Sequence, residues 1–243
     1  MDPEGATGGQ AGKARRHEGK AKVVFGGPEP GTLLLEFKDE ATAFDGKKRE
    51  TIPGKGPLNR DISAALFRYL EERGIPTHFL EAVGEREMVV RELQMIPLEV
   101  VVRNVAAGSL SRRLGLPEGQ ELPFPVVELY WKNDPLGDPL VNDSHVAVLG
   151  LASQEEVDEM RRQALEVNRL LSAFFRERGM ILVDFKLEFG RDGEGRLVLG
   201  DEVSPDTCRL WDARTREILD KDRFRRDLGG LIEAYARVRE RVR

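Results

Sequence analysis

The sequence predicts an α+β protein: two lobes built on antiparallel sheets with flanking helices, a ligand cleft between them, and a helix at the C-terminus. Three observations predict it. Short apolar runs separated by Gly, Pro and Asp turns read as hairpins, a few segments carry the helical period, and the two do not alternate regularly as βαβ units would. A chain of 243 residues with 40% hydrophobic content can bury a sizeable core.

Residues 1 to about 16, "MDPEGATGGQAGKARR", have no apolar period and read as a flexible tail. "AKVVFGGPEPGTLLLEFKD" then gives strand, turn and strand, with Gly26-Gly27-Pro28 and Glu29-Pro30-Gly31 as turn chemistry. "GKKRETIPGKGPLNR" reads as a polar loop. In "DISAALFRYLEERG", Ile62, Ala65, Leu66, Tyr69 and Leu70 recur at helical spacing up to a stop at Gly74. "THFLEAVGEREMVVREL" supplies two more strands, and "QMIPLEVVVRNVAAGSL" runs an apolar strand into a Gly/Ala/Ser turn. Pro97 is the expected crossing point, which puts the first lobe at residues 17–95 and the larger one at 96–243. "SQEEVDEMRRQALEVNRLLSAFFRERG" is the clearest helix, with Ser153 as N-cap, Glu156 completing a capping box and Gly179 at the C-terminal end.

Composition excludes several classes. No stretch approaches the roughly 20 apolar residues of a membrane span, and the N-terminus lacks an apolar signal region, so a cytoplasmic location is expected. Cys208 is the only cysteine, which leaves no intrachain disulfide. A net charge of −5 argues against nucleic acid as partner. The basic C-terminal run is the exception, but Leu231, Ile232, Tyr235 and Val238 at helical spacing make it an amphipathic packing helix.

The chemistry gathers around "VDFKLEFGRDGEGRLVLGDEVSPD", residues 183–206. Val183, Phe185, Leu187 and Phe189 alternate along one strand, so Asp184, Lys186 and Glu188 share its other face, and the return strand ends in Asp201-Glu202. That face is either solvated or a cation site, since one or two carboxylates plus substrate phosphates suit Mg²⁺. In "HEGKAKVVF", Lys20 and Lys22 flank Ala21 on one expected strand face; they repel unless an anion such as a polyphosphate lies between them, and protection of an edge strand is the alternative. "RNVAAGSLSRR" sets Arg103 beside a turn with Gly108 and Ser109, which is either an anion cradle or a capped helix start. Asp45-Gly46 with Lys47 and Lys48, and Asp206, Arg209 and Asp212, are further candidates, and His17, His78 and His145 carry no pattern. No nucleophile elbow, zinc-protease helix or dinucleotide glycine motif is present. Together the groups make the inventory of phosphoryl transfer, in which positioning and charge neutralisation dominate.

In their order "GKAK", "FKDEATAFDG", "VVRNVAAGSLSRRLG", "DPLVND", "ILVDFKLEFG", "GDEVSPDTCRLWD" and "DKDRFRRDLGGLIEAY" closely resemble the phosphoribosylaminoimidazole-succinocarboxamide synthase (SAICAR synthetase) family, from about Gly19 to Tyr235. The resemblance implies an ATP-dependent ligase joining L-aspartate to carboxyaminoimidazole ribonucleotide, a homodimer using ATP and Mg²⁺, with ATP in the cleft between the lobes. It implies Lys20, Ala21 and Lys22 at the ATP phosphates, Met95 at adenine, and Glu188 and Asp201 on Mg²⁺. Asp184 and Lys186 line the same site, Lys186 facing the reacting groups. Arg103, Ser109 and Arg209 bind the imidazole nucleotide, and Asp45 closes over it and aspartate. Arg91 in "VVREL" departs from the lysine of many relatives, and arginine changes the geometry there. A small-molecule kinase or a non-catalytic nucleotide-binding module are the other readings.

Overall fold

The computed structural model describes residues 14–44 and 46–243. Its first half runs β1 Arg15–Glu18, β2 Lys22–Gly26, β3 Thr32–Phe37, β4 Glu40–Ala43, β5 Lys48–Thr51, α1 Lys55–Glu71, β6 Phe79–Val83, β7 Glu87–Arg91, β8 Gln94–Val105 and α2 Gly108–Leu114. The second half runs β9 Glu121–Trp131, β10 Leu140–Val141, α3 Asp143–Leu149, α4 Gln154–Glu177, β11 Met180–Arg191, β12 Leu197–Leu199, β13 Cys208–Asp212, α5 Asp222–Arg225 and α6 Leu231–Val242.

Among the described residues the strands make two large antiparallel sheets and a separate two-stranded pair, β4 with β5, as the α+β reading expects. The first has the order β1-β2-β3-β7-β6; the second has β10-β9-β8-β11-β12, with β13 also on β11. A parallel bridge links them, because Leu199 N donates to the Pro76 carbonyl at 3.0 Å and His78 N to the Leu199 carbonyl at 2.9 Å. The buried core is continuous from Leu35, Ile62 and Phe67 through Val100 and Leu171 to Tyr235, so both sheets share it.

The chain differs from the sequence-based expectation at three places. β1 takes in Arg15 and Arg16, which composition assigns to the tail; residues 1–13 of that tail lie outside the described residues. The crossing falls at Glu92-Leu93, between β7 and β8, and Pro97 lies inside β8. There the register with β11 shifts between Glu188 and Gly190, and a bulge tolerates a residue with no N–H to donate.

The third difference is the stretch read as a polar loop, which holds β5, the second strand of the β4–β5 hairpin, followed by the start of α1. Pro57 is tolerated in a first turn, where its N–H would find no partner. Gly56 is required for another reason: a Cβ there would stand 2.4 Å from the Phe37 carbonyl oxygen.

α4 begins as its sequence dictates. Ser153 Oγ accepts from the Glu156 amide at 3.2 Å while Glu156 Oε2 accepts from the Ser153 amide at 2.8 Å. Val157, Met160, Ala164, Val167 and Leu171 are buried, and the helix packs on β11 and β8. Ser153→Ala is expected to lower stability by about 1 kcal/mol, read as a shift in urea midpoint at constant slope.

Candidate active site

Three neighbouring strands of the second sheet turn one face to a cavity. On β11 it carries Asp184, Lys186 and Glu188; on β8, Glu99, Val101 and Arg103; on β9, Glu128 and Tyr130, with Lys132 just past the end of that strand. The register pairs Asp184 with Arg103, Lys186 with Val101 and Glu188 with Glu99, so opposite charges meet at the first pair, while the two like-charged glutamates of the third are bridged by Lys186. The face is not a solvated one: Asp184 is 3% and Glu188 4% exposed.

β11 changes partners along its length. Its first half pairs with β13 and its last residues with β12, leaving Lys186 to Glu188 beside the connecting segment instead. Lys186 N donates to the Thr207 carbonyl and the Gly200 amide to the Glu188 carbonyl, both at 2.9 Å. That seam brings Asp201, Glu202 and Asp206 to the strand face. A bulge between Leu182 and Asp184 turns Val183 aside into a small cluster with Val105, Ala107 and Trp211.

The cavity between the sheets has a volume of about 800 Å³. Val24, Leu33, Leu35, Val90, Leu93 and Met95 line it with apolar surface, and Lys20, Lys22, Arg91, Lys132, Lys186, Arg209, Lys221 and Arg225 with cations. Lys22 opens β2, with its Nζ 2.8 Å from Asp201 Oδ1 and 2.7 Å from Glu202 Oε1. Lys20 precedes the strand, 2.8 Å from Asp134 Oδ1. The two lysines therefore do not share a strand face, and each has its own carboxylate.

Arg103 is buried and spends its donors within the protein. Nε donates to Glu128 Oε2 at 2.6 Å, Nη1 to Asp184 Oδ2 at 2.7 Å, and Nη2 to Ser109 Oγ at 2.9 Å and Tyr130 at 3.2 Å. Ser109 stands behind Arg103 rather than on the cavity wall. Arg209 holds Asp184 through Nη1, at 2.9 and 3.1 Å, and Asp222 through Nε at 3.0 Å. Arg91 donates to the Thr77 carbonyl at 2.7 Å from the cavity rim.

Lys186 Nζ lies 2.6 Å from Glu188 Oε1 and 2.8 Å from Glu99 Oε1, and Lys132 binds the other Glu188 oxygen. Burial lowers the affinity of Lys186 for its proton, but Glu188, Asp201 and Glu99 outweigh it and hold the ammonium well above its ordinary pKa. Burial likewise raises the Asp201 carboxyl, and Lys22, Lys186 and Lys132 outweigh it, so its pKa falls below the ordinary carboxylate range. Lys186 is thus a fixed cation and not a base, and Asp201 a ready anion.

Glu188 and Asp201 are carboxylates on one cavity, with no cluster of three or more acidic, His or Cys groups fit for a metal among the described residues. Such a donor set fits Mg²⁺ completed by phosphate oxygens and not an all-protein cage.

His78, without a pattern in the sequence, is a buried part of the wall; burial pushes its pKa down to about 3, with the Asp201 charge pulling the other way. The folded state then refuses a proton that the unfolded chain accepts below its ordinary value of 6.5. Stability is accordingly lost as pH falls from 6.5 toward 3. His78→Leu is expected to flatten this loss by about 1.4 kcal/mol per pH unit, seen as the difference between variant and parent in urea melts at pH 6 and 5.

Of the residues singled out in the sequence, Lys20, Ala21, Lys22, Met95, Arg103, Asp184, Lys186, Glu188, Asp201 and Arg209 surround this one cavity. Asp45 lies outside the described residues. Sequence reasoning missed β9 altogether, although Glu128, Tyr130 and Lys132 carry the same period-2 signal as Asp184, Lys186 and Glu188. It also missed Glu99, Lys221 and Arg225.

Two antiparallel sheets closing on a cavity that is apolar in one part and rich in paired charges in another define a nucleotide-using enzyme built to gather anions. A family model described as SAICAR synthetase matches residues 15–242, and the chain belongs to that family of ATP-dependent ligases. It is 57% identical over 233 residues to the phosphoribosylaminoimidazole-succinocarboxamide synthase of Parvibaculum lavamentivorans, covering 95% of this chain and 92% of the relative. The enzyme of the same name from Coprothermobacter proteolyticus is 55% identical over 226 residues, covering 93% and 96%. Among solved structures, a SAICAR synthetase in complex with ADP superposes with a TM-score of 0.90 at 54% identity, covering 93% of this chain and 96% of that one. Membership makes the chain the ligase of purine biosynthesis that forms SAICAR.

Proposed function

We propose that the enzyme joins the amino group of L-aspartate to the carboxylate of carboxyaminoimidazole ribonucleotide while ATP becomes ADP and phosphate. The observation that carries this reading is the single charged face of Asp184, Lys186, Glu188, Arg103 and Arg209, set opposite an apolar recess with Met95 on its rim. A carboxylate resists amine attack because oxide is its leaving group. Transfer of the terminal phosphoryl group to that oxygen, as an acyl phosphate, makes the leaving group phosphate.

The protein's part is to hold three anions together. The apolar recess suits adenine, and Lys20 and Lys22 stand where the phosphates would emerge. Bound Mg²⁺, held by Glu188 and Asp201 with phosphate oxygens, would supply charge neutralisation at the transferring group. With those carboxylates engaged, Lys22 and Lys186 exchange them for phosphate and carboxylate oxygens of the substrates. Arg209, oriented by Asp184 and Asp222, takes the ribonucleotide's phosphate; Arg103, with four of its five donors engaged within the protein, fixes Asp184 and the turn at Ser109. The family resemblance assigns Asp45, which lies outside the described residues, to the imidazole nucleotide and aspartate. On the family resemblance the enzyme is a cytoplasmic homodimer, which sedimentation equilibrium checks for the purified chain. No helix among the described residues is long and apolar enough to cross a membrane.

The test is ADP release with MgATP, carboxyaminoimidazole ribonucleotide and L-aspartate, each omitted in turn. Release that needs all three, with accumulation of the succinocarboxamide, supports the ligase. Steady ADP release without aspartate would instead mark a kinase.

A further inference from the structure

α1 turns a polar stripe toward the segment that follows Asp201. Lys55, Asn59 and Ser63 recur at four-residue spacing on one helix face, and all three are buried. They meet the segment between Asp201 and Arg209: Ser63 Oγ accepts from the Val203 amide at 3.1 Å, and Lys55 Nζ lies 2.6 Å from Asp206 Oδ2. Lys55 is wholly buried at the first position of the helix, where the macrodipole is positive and disfavours a cation. Such a lysine persists only where a carboxylate compensates it.

Asp206 is also part of the cavity wall. Its Oδ1 accepts from the Tyr235 hydroxyl of α6 at 2.7 Å, while Oδ2, in contact with Lys55, stands 3.9 Å from Lys221 Nζ. Neighbouring Arg209 and Arg225 share Asp222, at 3.0 and 2.6 Å. The carboxylate nearest Lys221 is therefore committed to Lys55. Burial keeps the Lys221 pKa below its ordinary value, and the attraction of Asp206 does not restore it against Arg225 and Lys55.

The geometry points to Lys55 as a positioning residue: by engaging Asp206 it leaves the Lys221 ammonium facing the cavity, where it meets an anionic group of the substrate. The identity of that substrate rests on the function proposed above. Without Lys55, Asp206 would capture Lys221 and withdraw it from the cavity.

Lys55→Met removes the charge at nearly constant length. In its crystal structure Lys221 Nζ is expected within hydrogen-bonding distance of Asp206. The Kd for carboxyaminoimidazole ribonucleotide should rise about tenfold, the worth of one charge-assisted contact, with the Kd for ADP unchanged. Lys55→Met with Asp206→Asn deletes both buried charges, a change buried pairs tolerate, and should bring the ribonucleotide Kd back to within about threefold of the parent. A lysine that only stabilises the fold gives another pattern: Lys221 unmoved, and the double variant binding no tighter than the single one. If the single variant does not fold, the double variant decides, since weak ribonucleotide binding there would mean that Asp206 itself is needed and would overturn the assignment. If the parent chain does not bind the ribonucleotide at all, the proposed substrate falls, and the position of Lys221 in the variant structures decides on Lys55 alone.

Discussion

Glu188→Gln is expected to cut kcat by about 10³-fold, the scale on which one preorganised electrostatic group acts, while the protein still folds and still binds ADP. Glu188 is 4% exposed, with Oε1 2.6 Å from Lys186 Nζ and the other oxygen on Lys132. Glutamine keeps the shape but offers one acceptor and no charge. Lys186 retains Glu99 at 2.8 Å, so the strand face should not come apart, and the stability loss is limited to about 1.5–3 kcal/mol for a hydrogen bond to a charged group. On the proposed function the catalytic loss is larger, because two functions would vanish together: a carboxylate ligand for Mg²⁺, and a counter-charge that positions Lys186. Steady-state turnover, ADP titration and a melting curve separate these effects. Turnover within fivefold of the parent in a folded variant would remove Glu188 from the chemistry.

How much of this was legible follows from which signals are local. The helix α4 could be read to its caps, because Ser153, Glu156 and Gly179 act through bonds within a few residues. Asp184, Lys186 and Glu188 could be placed on one face because side-chain alternation in a strand is also local. The start of α1 was not legible: Gly54, Gly56 and Pro57 have low helix propensity, and the close approach of Gly56 to the Phe37 carbonyl is a tertiary fact.

The site shows the same division. Lysines 20 and 22 suggested a phosphate by their mutual repulsion, yet in the folded chain the repulsion is relieved by Asp134 for one and by Asp201 and Glu202 for the other, from segments far along the sequence. Glu128, Tyr130 and Lys132 were legible in principle, since they alternate along and just past the end of β9, but the prolines at 123 and 125 obscure that strand. Lys55 had no local signal at all. Only the fold reveals that a lysine in a Gly/Pro stretch is wholly buried against Asp206.

Gly108→Ala is expected to lower kcat/KM for the imidazole nucleotide by about 10²-fold, because a single methyl group displaces Arg209. A Cβ at position 108 would stand 2.5 Å from Arg209 Nη2 and 2.8 Å from Cζ. A guanidinium at the end of a free side chain would simply swing away. This one cannot without cost, being tied to Asp184 at 2.9 and 3.1 Å and to Asp222 at 3.0 Å. Relief of the collision therefore breaks the contacts that aim Arg209 into the cavity and loosens Asp184, which Arg103 alone would then hold. Gly108 also has a φ of +56°, so alanine adds backbone strain of about 1 kcal/mol. Gly115, which ends the same helix with a φ of +67° and open space around its Cα, supplies the comparison. Gly115→Ala should show the strain in its melting temperature and leave kinetics unchanged, whereas Gly108→Ala should show both. Equal kinetics for the two variants would mean that the collision is absorbed elsewhere and that Arg209 is not fixed by the turn.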